Sequence, residues 1–455
     1  MFLFASLTAG RADSLGALLG ARALQGLGAA MILPATLAIV NATFRGRDRA
    51  IAFGIWGSVI GGMAAVGPLI GGWLTTSFTW RWIFYINLPI AVILLVAAVR
   101  FVDESLADTN SGFDVPGFAA TSVGFFALVV GIIEGPRYGW LTTTRDLEIG
   151  DWTWPLAVSI APIALLVGLS GLVIFVAVER RRLDARRPVL FDLRLFRIRS
   201  FLYGNLLATQ VGLGEFGLVF VIPLYLQTAV NVSPLRTGVL LLAMAAGGFL
   251  GGPLAAYLAG RIGPRQVVTT GMGLEALGAF GVALVLSPIR VHPGLAVALF
   301  IYGVGVGLAS SQLASVILAE VPPEASGQAS GMQSTFRQVG AALGIAILGT
   351  VFITSMSELT WDRLNAIDGL IDSQRGRIVE GLNDSAGWYI QALRAWTPDF
   401  RIVVDAVAQS ITDAARFAAL TAGGFFAVGT FLSRRLPDIL RERHSDPASA
   451  RARSG

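Results

Sequence analysis

The chain has 455 residues and no cysteine. Disulfides, thiolate zinc sites and iron–sulfur clusters are therefore excluded. Lysine is absent too, because all 34 basic residues are arginine. That removes a Schiff-base lysine and the lysine of a phosphate-binding loop, so this chain alone is no ATP-driven pump. The two histidines, His292 and His444, lie far apart in hydrophilic stretches. Neither a metal site nor a cofactor is expected from them. Charge of either sign is scarce. Only 14% of residues are charged, whereas a soluble domain carries about 25%.

What is abundant is apolar. Hydrophobic residues make up 54% of the chain, with 54 glycines, and the mean hydropathy is +0.69. Spanning helices tolerate glycine better than soluble helices do. The composition is that of a multi-pass, all-α membrane protein. The net charge of +5 is then read first as membrane topology rather than as affinity for nucleic acid.

A span needs about 20 mostly apolar residues. Eleven stretches qualify: Leu15–Val40, Ala50–Phe78, Trp82–Phe101, Val115–Ile133, Trp154–Val178, Phe201–Ala229, Leu235–Ala259, Val267–Leu286, Leu295–Ala319, Gly327–Ile353 and Ala414–Leu432. Met1–Ala9 is apolar but too short to cross, and it reads as the end of a further span. No basic segment precedes it, so it does not resemble a signal peptide.

The arginines test this count. Clusters fall at Arg45, Arg47 and Arg49; at Arg180–Arg182, Arg186, Arg187, Arg194, Arg197 and Arg199; at Arg261 and Arg265; and at Arg434, Arg435, Arg441 and Arg443. Four spans, then two, then four separate them. Every interval is even, so all four clusters share one side, the cytoplasmic side. The loop Glu320–Ser326 carries no arginine. The stretch Thr354–Asp413 falls outside the cell and is polar, with apolar residues at helical spacing, so short amphipathic helices are expected there.

Two stretches carry the most information. The string from Gly57 to Gly72 holds Gly57, Gly61, Gly67, Pro68, Gly71 and Gly72. Gly57/Gly61 and Gly67/Gly71 are i, i+4 pairs, which offer flat faces for close helix approach. Pro68 cannot donate its backbone hydrogen bond and bends the helix. Ordinary glycine packing would account for a lone pair, but not for a Gly-Pro set inside a repeated glycine frame. One span earlier, Arg22 of Ala21-Arg22-Ala23-Leu24-Gln25-Gly26 sits seven residues into its helix, roughly 10 Å deep. Such a charge is costly unless it meets water or a partner, or snorkels to the interface. Further strings are Trp80-Arg81-Trp82, Asn87-Leu88-Pro89, Pro223-Leu224-Tyr225-Leu226-Gln227, Ser233-Pro234, Gly327–Gly331 and Arg337–Gly344.

Together these strings resemble the major facilitator superfamily, in its fourteen-helix drug:proton antiporter branch of the EmrB/QacA type. The Gly57–Gly72 string is similar to the antiporter signature of the fifth helix. Arg22 lies in a string similar to the fourth-helix motif, whose arginine is associated with proton transfer. The resemblance implies two six-helix bundles joined by two inserted helices. Residues 1–101 form an incomplete amino-terminal bundle, from the end of family helix 3 to helix 6. Residues 102–199 hold the linking helices and the Arg-rich loop. Residues 200–433 form the second bundle, with the external loop 354–413, and 434–455 form a cytoplasmic tail. About 11 full spans of an expected 14 are present. The resemblance places two helices and most of a third ahead of Met1, so an in-frame upstream extension is expected, unless the chain is a fragment.

Other polar groups lie inside spans. Glu215 is fifteen residues into its helix and Glu275 nine into its own, while Glu134 ends a helix and reads as interfacial. An intramembrane carboxylate should face a cavity or a partner. Glu215 is the first candidate for proton coupling, with Glu275 second and Arg22 beside them; a structural hydrogen bond is the competing role. Gln210, Gln312 and Gln338 are candidates for the substrate cavity, against a plain role as interhelical glue. Arg337 either braces the bundle or pairs with a buried acid. Gly212-Leu213-Gly214-Glu215-Phe216-Gly217 fits the dinucleotide pattern only literally, since it lies in a span with no strand before it.

The expected function is a proton-coupled antiporter in the cell membrane, exporting small lipophilic compounds in multidrug efflux and antibiotic resistance. Its expected partners are the small-molecule substrate, protons and membrane lipid, with no nucleic acid, and it is expected to be a monomer. A dedicated exporter of one endogenous metabolite stays open, as does a non-transporting fragment. A membrane enzyme is disfavoured by the lack of cysteine, lysine and intramembrane histidine. Topology is directly testable in a cysteine-free chain. A cysteine introduced at Ser373 should react with an impermeant thiol reagent in intact cells, and one at Ser445 should not. The reverse pattern means a miscounted span.

Overall fold

The computed structural model describes residues 1–44, 46–102, 114–145, 148–149, 152–322, 325–395 and 400–437. Fifteen helices follow in order among these: α1 (Phe2–Gly10), α2 (Leu15–Thr43), α3 (Gly46–Ser77), α4 (Trp82–Tyr85), α5 (Asn87–Phe101), α6 (Val115–Tyr138), α7 (Ile160–Asp184), α8 (Arg199–Thr228), α9 (Pro234–Ile262), α10 (Pro264–Val285), α11 (Gly294–Ile317), α12 (Ser326–Asn365), α13 (Asp372–Asp384), α14 (Ile390–Ala395) and α15 (Arg401–Leu432). The one sheet among the described residues is a hairpin of two-residue strands, Glu148–Ile149 with Trp152–Thr153.

Ten of the helical stretches are long and apolar enough to cross a membrane. The eleventh expected span is α3, a 32-residue helix with Pro68 inside it. Polar caps mark several starts: Ser14 accepts from the Ala17 amide, Ser159 from Ala161, and Ser233 from Arg236. Each satisfies an amide that the first turn leaves free. Between α9 and α10 the chain turns on Gly263 at φ 90°, followed directly by Pro264. Only glycine takes that backbone cheaply, and proline fits a first helical position.

Glycine sets how closely the spans pack. On α12, a β-carbon at Gly340 or Gly344 would run into the backbone carbonyls of Thr209 and Leu213 on α8. On α11, Gly303 and Gly307 meet the backbone of α9 at Met244 and at Gly248–Gly251 in the same way. In lipid, where apolar burial drives little association, such close approach supplies dispersion contact instead. One buried cluster fills the outer part of the second bundle and includes Tyr225, Tyr302, Phe352 and Phe426. A second joins all three regions: Leu37 and Phe53 from the first bundle, Phe175 from the linking pair, and Phe201, Met272 and Met332 from the second.

The outer segment departs from the expected set of short helices. α12 continues beyond Ile353 to Asn365, and α15 begins at Arg401 rather than near Ala414. Only α13 and α14 are short. Helix extension leaves fewer backbone groups to satisfy than a loop would. The cap is tied down by Arg363–Asp413 at 2.5 Å, Arg416–Asp413 at 2.6 Å and Arg394 donating to the Ala229 carbonyl at 2.6 Å. Ile378, Leu382, Ile390 and Leu393 join the core beneath it.

The linking helices α6 and α7 pack on each other through Gly124, Gly131, Gly168 and Gly171. The start of α6 and the end of α7 hold a buried polar knot. Asp114 caps α6 and lies 3.2 Å from the Arg182 guanidinium, while Glu179 accepts from the Leu190 amide. Gln328, at the start of α12, donates to the Val189 and Leu190 carbonyls and fastens the knot to the second bundle.

Two glycines of α12 allow a matched test. A β-carbon at Gly331 meets nothing within 4 Å, whereas one at Gly344 strikes backbone. Gly331→Ala should be neutral or stabilising by up to about 1 kcal/mol, from helix propensity. Gly344→Ala should cost about 1–3 kcal/mol through overpacking. Thermal midpoints of the detergent-solubilised variants measure both, and equal midpoints would contradict the α8–α12 contact.

Candidate transport site

Two buried carboxyl groups, Glu215 and Glu275, lie within the second bundle. Glu215 sits 16 residues after the start of α8, about 24 Å along it, and is 1% exposed. The Arg337 side chain on α12 reaches it, with Nη2 2.8 Å from the Glu215 carboxylate. The other guanidinium nitrogen, Nη1, donates to the Ser310 hydroxyl on α11 at 3.3 Å. Three helices thus meet at one guanidinium. An ion pair in a low-dielectric interior is held by strong attraction, and removing one partner leaves a bare buried charge.

Glu275 on α10 completes the cluster from another side. It is fully buried, and neither carboxyl oxygen has a hydrogen-bond partner among the described residues. It lies close enough to feel the charges of Glu215 and Arg337. Tyr302 on α11 is buried beside it, its ring edge-on to Phe426 at 5.8 Å and its hydroxyl without a partner. Gln312, 1% exposed on α11, also leaves its side-chain amide unpartnered.

The remaining expected residues are placed differently. Gln210 donates to the Phe425 carbonyl and stands against Gly429, so it binds α8 to α15 as interhelical glue. Gln338 is exposed, away from the cluster. Arg22 is exposed and sits in the first bundle, where it donates to Gln25 at 2.8 Å; Gln25 in turn donates to Ser6. No carboxylate pairs with Arg22 among the described residues.

The glycine string on α3 forms the seam between the bundles, but not uniformly. A β-carbon at Gly57 would stand 2.6 Å from Ser311 Cβ on α11, and one at Gly72 2.6 Å from the Pro234 carbonyl on α9. Gly238 of α9 packs back on the Pro68–Leu69 backbone. Gly67 and Gly71, expected to offer a second flat face, meet nothing within 4 Å. What Gly61 and Gly62 pack against lies outside what the structure describes.

Towards the outer end, a cavity of 790 Å³ opens between α6, α12 and α13. Its wall mixes apolar groups (Phe220, Ile345, Trp361) with carboxylates (Glu134, Glu358, Glu380). A space of that size accepts a drug-sized molecule.

The sequence reading missed Tyr302, Ser310, Asp114 and Glu179. Ser310-Ser311-Gln312, a polar triplet inside an apolar span, was the available signal on α11. Asp114, directly before the Val115 span, fits a helix cap.

Long apolar helices that enclose paired and unpaired buried charges are the architecture of a polytopic membrane protein. The chain belongs to the Major Facilitator Superfamily, which it matches over residues 1–345. It is 32% identical over 358 residues to the multidrug resistance protein Stp of Mycobacterium tuberculosis, which covers 78% of this chain and 63% of Stp. The chain therefore spans less than two thirds of that relative. It is 36% identical over 360 residues to the puromycin resistance protein pur8 of Streptomyces alboniger, covering 77% of this chain and 66% of pur8. The crystal structure of the human organic anion transporter MFSD10 shares the fold, with a TM-score of 0.50 at 15% identity, over 95% of this chain and 74% of that one.

The ion pair predicts an asymmetry. Arg337→Gln leaves Glu215 buried without its cation and should cost about 3–5 kcal/mol. Glu215→Gln combined with Arg337→Gln should recover much of that loss, because no uncompensated charge remains on the pair. Thermal unfolding in detergent measures both; a double variant as unstable as the sum of the singles removes the pair from the account.

Proposed function

We propose that the protein is a proton-coupled antiporter of the fourteen-helix drug-export branch, moving small lipophilic compounds outward across the cell membrane. The observation that carries this reading is the Glu215–Arg337 pair, sunk among three helices of the second bundle. A carboxylate on a short side chain cannot snorkel from that depth. Gaining a proton removes its charge, frees Arg337 and shifts which arrangement of the bundle is preferred. The α3 seam, with Gly57 and Gly72 against α11 and α9, supplies the sealing contact between bundles. Relatives named for multidrug and antibiotic resistance support drug-like substrates. The even spacing of the arginine clusters supports a cytoplasmic carboxyl terminus.

A single-compound exporter is the second reading, favoured by the relative named for resistance to one antibiotic. Uptake of a panel of chemically unrelated compounds separates the two, since a dedicated exporter carries only one of them.

Coupling is tested in inverted vesicles with an imposed pH gradient at equal protein levels. Glu215→Gln keeps shape and hydrogen bonding but removes the titration. Substrate binding should persist in part, while proton-driven uptake falls by at least about tenfold, a loss equivalent to roughly 1.4 kcal/mol. Arg22→Ala should also impair uptake. Parental rate and pH dependence in Glu215→Gln would show that Glu215 is structural.

A further inference from the structure

The central cluster contains one guanidinium and two fully buried carboxyl groups. Arg337 is taken up by Glu215 and Ser310. Among the described residues Glu275 has no ion-pair partner and no hydrogen-bond donor on either oxygen, and it is fully buried. The charged and titratable groups within electrostatic range of it are Glu215 from α8, Arg337 from α12 and Tyr302 from α11; α15 presents the Phe426 ring to Tyr302. α10 and α11 touch at this level, five residues along α11 from Ser310, a rise of about 7.5 Å. A β-carbon at Gly305 would stand 2.9 Å from Glu275 Cγ, and Ser310, farther along α11, already holds Arg337.

An ionised carboxylate buried without a partner costs several kcal/mol, and lipid around the bundle offers no water to relieve it. We propose that Arg337 is a counter-ion shared by Glu215 and Glu275, and that the carboxyl group it leaves unpaired carries the resident proton. This rests on the antiport reading for its function, but not for its chemistry.

In the arrangement described, Glu215 is the carboxylate and Glu275 the acid. In the alternative, a proton binds Glu215, Arg337 moves to Glu275, and the Glu275 proton departs. One proton enters and one leaves, and the cluster stays neutral before and after. Glu275 is thus the second station of a two-carboxyl exchange. Tyr302, whose hydroxyl has no hydrogen-bond partner among the described residues, lies within electrostatic range of Glu275. Gly305 is required to be small because α11 must pass this close to Glu275.

The test uses the purified whole chain reconstituted in lipid. Infrared difference spectra should show a protonated-carboxyl C=O band in the parent that Glu275→Gln abolishes. Glu215→Gln should abolish it too, because Arg337 then transfers to Glu275 and ionises it. In thermal unfolding, each single variant should be mild. Glu215→Gln with Glu275→Gln strands Arg337 and should lower the midpoint by more than the sum of the singles.

Additive midpoints, or a band unchanged in Glu275→Gln, overturn the shared counter-ion. Should the double variant fail to fold, the infrared comparison of parent with Glu275→Gln alone decides. A positive infrared result without proton-driven uptake in vesicles would sink the antiport reading and leave the shared counter-ion standing.

Discussion

A guanidinium in the middle of a helix bundle has to be answered from within the protein. Arg337 cannot reach the interface without dragging α12 with it, and hydrocarbon outside the bundle supplies no hydrogen bonds. Its partners therefore fix three helices at once: Glu215 on α8, Ser310 on α11 and its own α12. The contact geometry around it follows from this demand. α8 and α12 approach through Gly340 and Gly344, and α10 and α11 through Gly271 and Gly305. Larger residues at these points would push the helices apart and strand the charge.

The same logic operates at the edges with different materials. The cap over the second bundle adds arginines to its apolar packing, and three of them find a carboxylate or a carbonyl: Arg363 and Arg416 share Asp413, and Arg394 takes the Ala229 carbonyl. At the other end of α12, Asp114, Glu179, Arg182 and Gln328 knot the linking pair to it. Between these two fastened ends, the first bundle meets the second mainly through α3. That seam is built of glycines and small side chains, with no ion pair across it among the described residues. A joint of this kind can open without unpairing charges, whereas the fastened ends cannot.

Much of this was legible in the sequence because lipid imposes a period and a sign. The spans are long apolar runs, and they can be read without tertiary information. Glu215 and Glu275 stood out by depth alone. What was not legible was pairing. Arg337 is 122 positions from Glu215 in the chain, and helix depth does not say which faces turn towards each other. Gln210 looked as available for substrate as Gln312, yet its amide is spent on the Phe425 carbonyl. Gly67 and Gly71 had the same spacing as Gly57 and Gly61, and they face open space. The outer segment was read as short helices because its polarity hides the continuity of α12 and α15 past the membrane.

One adjacency joins the charge cluster to the seam. Ser310 accepts from Arg337, and Ser311, the next residue on α11, is the surface against which Gly57 of α3 is packed. Successive residues on a helix point about 100° apart, so one faces the buried charges while the other faces the first bundle. Packed interiors are stiff, and they transmit a displacement rather than absorb it. Any rearrangement that takes Arg337 from Ser310 removes a restraint on α11 one residue from its closest contact with α3. Gly57 lets α3 sit that close, and a close contact is the kind most sensitive to a small rotation of its partner. On the antiport reading, the glycine string and the buried carboxylates are therefore two ends of one element. α11 carries the state of the protonation site to the joint between the bundles, and the distance it has to carry it is a single residue.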